Sequence, residues 1–263
     1  MTTTRCSVLF ITMLCLSTFL PRTTTTTTAF LLRSSSSSST LRPTLHRHFS
    51  SASAPAATLP KKVLVPIADG SEEIESVTII DVLVRAGAAV TVASVMPSPA
   101  SSPSSTTHVS KHQVTCSRGV KLVADKGIDD CLGEEWDLIA CPGGLPGAEH
   151  LRDSAPLLAL LTKQQASNKL IAAICASPAM VLQTHGFLKG KASTCFPAER
   201  FTSTLENYKG REGGAVVVDG KVVTSQGPGT TMLFSLTLVE LLFGMDKAKE
   251  VAGGLLTEYP AVG

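Results

Sequence analysis

One cysteine lies where a buried strand should give way to a helix. Cys175 follows the apolar run Leu170–Ile174, and the small residues Ala176 and Ser177 come directly after it. Small neighbours permit a sharp turn, and the unpaired N–H groups and dipole of a helix N-terminus favour a thiolate. The pattern predicts a nucleophile elbow with cysteine in the position of serine, at the sheet edge where open α/β folds bind ligands.

Two other loops should reach the same edge of the sheet. Pro142 and the pair Gly143-Gly144 follow a predicted strand, and such glycines let backbone N–H groups approach a ligand as an oxyanion hole. The segment 69–75 follows the first predicted strand and opens a helix with carboxylates. These are the carboxylates of Glu72, Glu73 and Glu75. A carboxyl group beside a thiolate should have a raised pKa, because like charges disfavour joint ionisation.

Each of these features also has an ordinary structural explanation. A cysteine after a strand is often a small buried hydrophobe, a glycine pair is often a turn, and a glutamate in a first helical turn often only faces the dipole. Five cysteines follow residue 60: Cys116, Cys131, Cys141, Cys175 and Cys195. Their odd number and the absence of a C-x-x-C pair argue against a disulfide framework or a zinc site. We interpret all of them except Cys175 as buried filler.

Strands and helices alternate through the rest of the chain. The predicted strands are Lys62–Ile67, Ala89–Val95, Asp137–Cys141 and Leu170–Ile174; the predicted hairpins are Gln113–Ser117 with Val120–Ala124 and Ala215–Val218 with Val222–Ser225. The predicted helices are Glu72–Ala86, Ala155–Ser167, Ser177–Thr184 and Gly227–Phe243. This alternation predicts an α/β fold, a doubly wound sandwich with a mostly parallel sheet and helices on both faces.

The first 60 residues differ from the remainder in composition. They hold five arginines, no acidic residue and long runs of threonine and serine, so we predict a disordered, cleavable targeting presequence. Residues 61–263 are predicted to form a single domain, with a flexible Ser/Pro loop inserted at 97–110. An apolar run at 6–20 followed by a second acid-free segment favours a plastid leader. A mitochondrial presequence is the alternative, and a stable membrane anchor is disfavoured.

The charge balance excludes one class of partner. The whole chain has a net charge of +2, and without the five leader arginines the remaining 18 basic and 21 acidic residues give −3. No basic patch typical of contact with a nucleic-acid backbone is present, so no nucleic-acid partner is expected.

Four ordered motifs resemble those of the ThiJ/PfpI superfamily. They are the segments 68–75 (ADGSEEIE), 141–148 (CPGGLPGA), 171–178 (IAAICASP) and 224–230 (TSQGPGT). Their order and spacing hold over about residues 61 to 257. The most similar branch is that of the parkinsonism-associated protein deglycase and its bacterial and plant relatives.

The resemblance implies a flavodoxin-like homodimer with specific site residues. Cys175 would be the nucleophile and Glu75 the carboxyl group beside it. Backbone N–H groups of Gly144 and Ala176 would form the oxyanion site. The pocket would also be lined by Gly143, Phe196 and Cys195.

The resemblance also implies the chemistry. Family members convert methylglyoxal to lactate without a cofactor or metal, and deglycation of methylglyoxal adducts is ascribed to them. A small dicarbonyl or a glycated adduct would be the substrate, attacked by Cys175 to give a hemithioacetal, with Glu75 moving protons. The alternative is a redox sensor or chaperone that works through oxidation of Cys175. A member that keeps only the fold is the third possibility.

Some residues depart from the family pattern. Many relatives have a histidine in the segment Ser193–Pro197, where Phe196 stands here, and none of His108, His112, His150 and His185 is an evident substitute. Cys195 could be a resolving thiol, although buried filler is favoured. Ala176 replaces the histidine of the protease-like branch, which argues against a peptidase. No His-x-Glu pair follows Cys175, which argues against a glutamine amidotransferase.

Overall fold

Seven strands form a central sheet that places the strand before Cys175 near its middle. The computed structural model describes residues 59–97, 112–210 and 212–259. The strands are β1 (Lys62–Ile67), β2 (Ala89–Ser94), β3 (Gln113–Thr115), β4 (Lys121–Val123), β5 (Lys126–Gly127), β6 (Leu138–Cys141), β7 (Leu170–Ile174), β8 (Val216–Asp219) and β9 (Val222–Ser225). Their order in the sheet is β5-β2-β1-β6-β7-β9-β8, with only β8 antiparallel to its neighbour; β3 and β4 form a separate antiparallel pair.

Helices cover both faces of this sheet. They are α1 (Glu73–Arg85), α2 (Gly147–Asp153), α3 (Ala155–Ala166), α4 (Glu199–Thr202), α5 (Thr231–Phe243) and α6 (Met245–Gly254). Short 3-10 turns occupy Ile128–Cys131 and Pro228–Thr230, and a π-helical turn occupies Pro178–Gln183. The prediction of a mostly parallel α/β sandwich is confirmed.

The central strands are apolar throughout because both of their faces are buried. Along β7, Leu170, Ala172 and Ile174 join the first apolar layer, which α1, α5 and α6 complete. Ile171 and Ala173 point to the other side and join the second apolar layer, which includes α3 and the π turn. All five residues of β7 are buried. Cys175 therefore directly follows a strand whose two faces are both buried by apolar layers.

Local differences from the predicted elements have identifiable causes. The first helix begins at Glu73 because Glu72 is its N-cap, with a side-chain oxygen that accepts from the Glu75 N–H at 2.8 Å. The segment after Cys175 is helical but adopts a wider π turn, where the Thr184 hydroxyl donates to the Ala179 carbonyl at 3.3 Å. Strand β5 was not predicted, because two residues carry no hydrophobic period.

The predictions about the leader and the Ser/Pro loop concern residues outside the described ranges, apart from residues 59, 60 and 97. Within the described ranges, no helix combines the length and apolar character needed to cross a membrane.

Candidate active site

Cys175 sits on a strained turn between β7 and the π turn. Its φ angle is +64°, in the left-handed region, which costs a non-glycine residue about 1–3 kcal/mol. Two backbone hydrogen bonds hold the turn: the Cys175 N–H donates to the Ser225 carbonyl at 3.0 Å, and the Phe196 N–H donates to the Cys175 carbonyl at 2.8 Å. Cys175 is partly exposed, whereas the other four described cysteines are buried. The structure thus places Cys175 at the elbow that the sequence predicts.

The Gly143-Gly144 loop packs directly against this elbow. A Cβ atom on Gly143 would lie 2.6 Å from the Cys175 Cβ. Gly144 has a φ of +90°, and a Cβ there would lie 2.3 Å from the Gly70 carbonyl oxygen. The Glu72 N–H donates to the Gly143 carbonyl at 3.0 Å, which joins this loop to the start of α1. Both glycines are therefore required by close approach.

Glu75 lies beneath the elbow with no exposed surface. Its Oε2 accepts a hydrogen bond from the Gly143 N–H at 2.8 Å, and its carboxyl group is close enough to the Cys175 thiol to affect the pKa of both groups. Its Oε1 is buried and has no hydrogen-bond partner among the described residues. A buried carboxyl oxygen without a partner is costly, and the nearest reactive group to this carboxyl is the Cys175 thiol.

Burial dominates the ionisation of this pair. Burial, followed by the nearby Glu72 carboxylate, raises the pKa of Glu75 from 4.5 to about 7, against the lowering effect of the Gly143 N–H. Burial, followed by the charge of Glu75, raises the pKa of the Cys175 thiol to about 12. The backbone N–H groups at the helix start do favour the thiolate, as the sequence predicts, but burial and the Glu75 charge outweigh them. The raised pKa of Glu75 agrees in direction with the sequence-based prediction, although desolvation is its main cause.

Two backbone amides face the Cys175 sulfur. The N–H groups of Gly144 and Ala176 both donate toward it and act to lower its pKa. They are the two donors that the resemblance assigned to an oxyanion site. Donors fixed in a backbone need no reorganisation when negative charge develops beside them.

The sulfur opens into a cavity of about 290 Å³, at the small end of the range of roughly 300–1,000 Å³ typical of ligand sites. The lining residues are Glu72, Ser117, Arg118, Gly144, Leu145, Cys175, Ala176, Phe196, Arg200, Phe201 and Pro228. Phe196, Gly144 and Ala176 line it as predicted.

Gly143 and Cys195, which were also predicted to line the pocket, are not among the residues that line this cavity. Gly143 is directed under the elbow, where its N–H bonds to Glu75. Cys195 has no exposed surface and packs in the second apolar layer, where burial raises its pKa to about 12. A buried thiol of this kind cannot readily act as a resolving thiol.

Sequence reasoning missed the cavity residues that come from distant elements. Arg118 lies on the turn of the β3–β4 hairpin, and Arg200 lies on the short helix α4. The hairpin is anchored by Glu73, whose carboxylate accepts from the Ser117 hydroxyl at 2.9 Å and the Arg118 N–H at 2.8 Å. No local pattern distinguishes either arginine from an ordinary surface residue.

No described histidine lines the cavity. His185 Nε2 is 2.9 Å from the Arg152 carbonyl, and His150 lies on α2. His108 is outside the described residues. The described part of the chain also holds no cluster of three or more side chains suited to bind a metal ion.

Comparison with known proteins agrees with this architecture. The model of the DJ-1/PfpI family matches residues 61–241. Protein DJ-1 homolog B of Arabidopsis thaliana is 44% identical over 214 residues, which cover 81% of this chain and 45% of that protein. The chain thus spans about half the length of this plant relative.

Two further relatives match over most of their own length. The glutathione-independent glyoxalase DJR-1.2 of Caenorhabditis elegans is 34% identical over 189 residues, covering 72% of this chain and 91% of that protein. The solved structure of oxidized Toxoplasma gondii DJ-1 has a TM-score of 0.67 and 46% identity, covering 76% of this chain and all of that one. The extent of the family match shows that this chain belongs to the DJ-1/PfpI family.

Proposed function

We propose that the protein is a cysteine-dependent, cofactor-free glyoxalase or deglycase that acts on methylglyoxal or its early adducts. The observation that carries the proposal is the arrangement around the Cys175 sulfur: a carboxyl group with a pKa of about 7 on one side and two backbone N–H donors on the other. A relative at 34% identity bears the name of a glutathione-independent glyoxalase, which supports this choice.

The raised pKa values define how the thiol is activated. The proton of the Cys175 thiol passes to the neighbouring Glu75 carboxylate as the sulfur attacks the aldehyde carbon of methylglyoxal. A base with a pKa near 7 suits this transfer at neutral pH. The product is a hemithioacetal, whose oxyanion accepts from the N–H groups of Gly144 and Ala176.

The second stage is an internal oxidation and reduction of the adduct. Glu75 returns its proton to the adduct oxygen and then removes the proton from the carbon bonded to sulfur, giving an enediolate. Protonation of the neighbouring carbon leaves a thioester of lactate on Cys175. Water cleaves this thioester, which releases lactate and restores the thiol. The substrate carbon next to sulfur is oxidised and its neighbour is reduced, so no external cofactor is needed.

A second function is supported by the same residues. Oxidation of the Cys175 thiol by two equivalents of hydrogen peroxide, with release of two waters, would give a sulfinate that faces the two backbone donors, while protonated Glu75 could donate a hydrogen bond to it. The solved Toxoplasma relative is described as oxidized. A redox-sensing or chaperone role therefore stands as the alternative to turnover.

Lactate formation from methylglyoxal without glutathione separates the two functions. We expect the wild-type protein to form lactate, Cys175→Ser to lose at least about 1,000-fold in kcat/KM and Glu75→Gln about 100-fold or more. Cys131→Ala, which removes a cysteine buried in the second apolar layer, is the matched control. No lactate from the wild-type protein, combined with an anti-aggregation effect that depends on Cys175 oxidation, would favour the redox role.

We also propose that the protein forms a homodimer, as the family resemblance implies. Helix α1 and the β3–β4 hairpin expose a contiguous set of large apolar side chains: Ile74, Val77, Val84 and Val123. They adjoin a groove that Ile80 and Leu122 help to line. An apolar face of this kind is typical of a protein–protein contact, and a second copy of the chain would bury it.

Sedimentation equilibrium tests the dimer. We expect Val77→Lys to shift the protein to a monomer, because a charge would be buried in the contact. Val218→Lys replaces an equally exposed valine on the far edge strand β8 and should remain dimeric. A wild-type monomer at micromolar concentration would contradict the proposal.

Localisation to a plastid, with the mitochondrion as the alternative, remains a prediction from residues 1–60. Imaging of a fluorescent fusion that carries this segment would decide between the two organelles.

A further inference from the structure

Two arginines line the active-site cavity, and the guanidinium group of neither forms an ion pair within the described part of the chain. Arg118 and Arg200 approach it from separate elements, the β3–β4 turn and helix α4. Arg85 and Arg152 show the usual arrangement, since they pair with Asp81 and Asp153 at 2.7 Å. Neither Arg118 nor Arg200 forms such an ion pair with any carboxylate among the described residues.

Both arginines are held in place by contacts that leave most of their N–H donors unused. The Arg118 backbone is fixed by its N–H bond to Glu73, and one guanidinium nitrogen donates to the Ser117 carbonyl at 3.3 Å. The Arg200 guanidinium lies 4.7 Å from the centre of the buried Phe201 ring. Stacking orients a guanidinium and keeps its planar edge available to an oxyanion.

The charges in the cavity are separated by depth. Glu72 is only 7% exposed and its carboxylate accepts from the Glu75 N–H, so negative charge lies at the buried wall near the sulfur. In a single copy of the chain, Arg118 and Arg200 are both exposed, so positive charge lies at the outer rim. Apolar side chains of Leu145, Phe196 and Pro228 complete the lining. A substrate that fits this polarity has an uncharged reacting end and an anionic far end.

The cavity is also larger than a methylglyoxal molecule needs. Its volume of about 290 Å³ approaches the lower end of the roughly 300–1,000 Å³ typical of sites for drug-sized ligands, which are larger than methylglyoxal. Methylglyoxal is small and uncharged, so it offers the two guanidinium groups carbonyl oxygens but no negative charge to pair with.

We propose that Arg118 and Arg200 form an anion-binding subsite that selects α-oxoaldehydes, or their adducts, with a carboxylate or phosphate group distant from the aldehyde. The proposal rests on the proposed function for its reaction but assigns the substrate class independently. Each charge-assisted contact supplies enough energy for a selectivity of about tenfold or more.

The kinetic test compares two substrates of the full-length protein. Dioxovalerate is an α-oxoaldehyde that ends in a carboxylate, and methylglyoxal is its neutral counterpart. We expect kcat/KM to favour dioxovalerate by about tenfold or more, and the double variant Arg118→Gln/Arg200→Gln to lose most of that preference. The double variant Arg118→Lys/Arg200→Lys should retain part of it. Arg152→Gln removes the same charge from a paired arginine on α2 and should leave the ratio unchanged.

A second measurement does not depend on turnover. Levulinate, which lacks the aldehyde, and inorganic phosphate should each slow the alkylation of Cys175 by iodoacetamide, read by mass spectrometry of the Cys175 peptide. The protection should weaken with added salt and disappear in the double glutamine variant. The anion that protects at the lower concentration identifies a carboxylate or a phosphate as the preferred group.

The outcomes separate the subsite from the reaction. Protection without turnover of either aldehyde would retain the subsite and reject the glyoxalase. Turnover with the same substrate ratio in the wild-type and double glutamine proteins, and no protection by either anion, would reject the subsite and retain the glyoxalase. Circular dichroism and thermal melting of each variant confirm that the comparison is made on folded protein.

Discussion

The apolar layers of the protein and the edge of the sheet at Cys175 differ in how far their residues satisfy ordinary packing and backbone preferences. In the layers, β1, β6 and β7 present buried apolar side chains, and the cysteines there are filler. At the edge, Cys175 has a left-handed φ, Gly144 has a φ of +90°, and Glu75 buries an oxygen that has no partner among the described residues. Strain and unsatisfied polarity persist only where the surrounding fold enforces them. The edge at Cys175 combines these costs within one loop cluster, whereas the apolar layers hold only single examples, such as the Trp136 Nε1 atom that lacks a partner among the described residues.

The largest loss of stability is expected at Gly144, where an added side chain would meet the backbone of Gly70. Gly144→Ala would place a Cβ 2.3 Å from the Gly70 carbonyl oxygen at a backbone angle that disfavours alanine. We expect a loss of about 3–5 kcal/mol in the free energy of unfolding, measured by urea denaturation. Gly253→Ala is the matched control, because that helical glycine has open space around its Cα. The control should gain up to about 1 kcal/mol. Equal changes in the free energy of unfolding for Gly144→Ala and Gly253→Ala would contradict the view that the backbone at this edge is strained.

Glu75 should be a site where stability is given up for activity. Its carboxyl has a pKa of about 7 in the folded protein and 4.5 as its ordinary value, so ionisation above pH 7 costs the folded state about 3 kcal/mol. We expect Glu75→Gln to be more stable than wild type at pH 8 by up to about 3 kcal/mol. The amide oxygen can still accept from the Gly143 N–H.

The pH dependence of this gain follows from proton counting. Below about pH 4.5 the carboxyl is protonated in both the folded and unfolded states, so the ionisation of Glu75 gives the variant no advantage. Between about pH 4.5 and 7 the folded protein binds one more proton than the unfolded chain, so wild-type stability falls as pH rises. The advantage of the variant should develop through this window. Urea denaturation across the window measures it, and a constant difference from pH 4 to pH 8 would contradict the assignment.

Glu72 should shift the ionisation of Glu75 without touching the sulfur. Its carboxylate raises the pKa of Glu75, and the neutral Glu72→Gln variant can still cap α1 through its side-chain oxygen. We expect the midpoint of the pH profile for Cys175 alkylation to move to lower pH in this variant. Asp81→Asn neutralises another α1 carboxylate, outside the cavity lining, and should leave the midpoint unchanged. A midpoint that is the same in Glu72→Gln and wild type would show that the Glu72 carboxylate does not raise the pKa of Glu75.

The smallest effect is expected at Cys195, a cysteine in the second apolar layer. Cys195→Ala removes a fully buried thiol from the second apolar layer. We expect a loss of about 1 kcal/mol in stability and lactate formation within about twofold of wild type. The rate at which hydrogen peroxide overoxidises Cys175 should also be the same as in the wild-type protein. A variant that loses resistance of Cys175 to overoxidation would restore the role of Cys195 as a resolving thiol.

Much of the fold follows from local sequence patterns. The bounds of β1 and β7 coincide with the predicted apolar runs, because strands buried on both faces are mostly apolar along their length. The bounds of β9 coincide with the second strand of the predicted hairpin. The elbow at Cys175 and the convergence of the loops before Glu75 and after Cys141 also follow, since the carboxyl ends of parallel strands meet at one edge. Short elements such as β5 and α4 carry no such period and were not predicted.

What the sequence determined by itself is therefore where Cys175, the carboxylates at the start of α1 and the Gly143-Gly144 pair stand relative to the strands, because each position depends on order along the chain. Tertiary structure alone decided that Cys195 faces the second apolar layer, that burial raises the pKa values of Cys175 and Glu75, and that Arg118 and Arg200 share the cavity. Desolvation and contact between elements distant in the chain depend on packing in space, and neither leaves a periodic signal in the sequence.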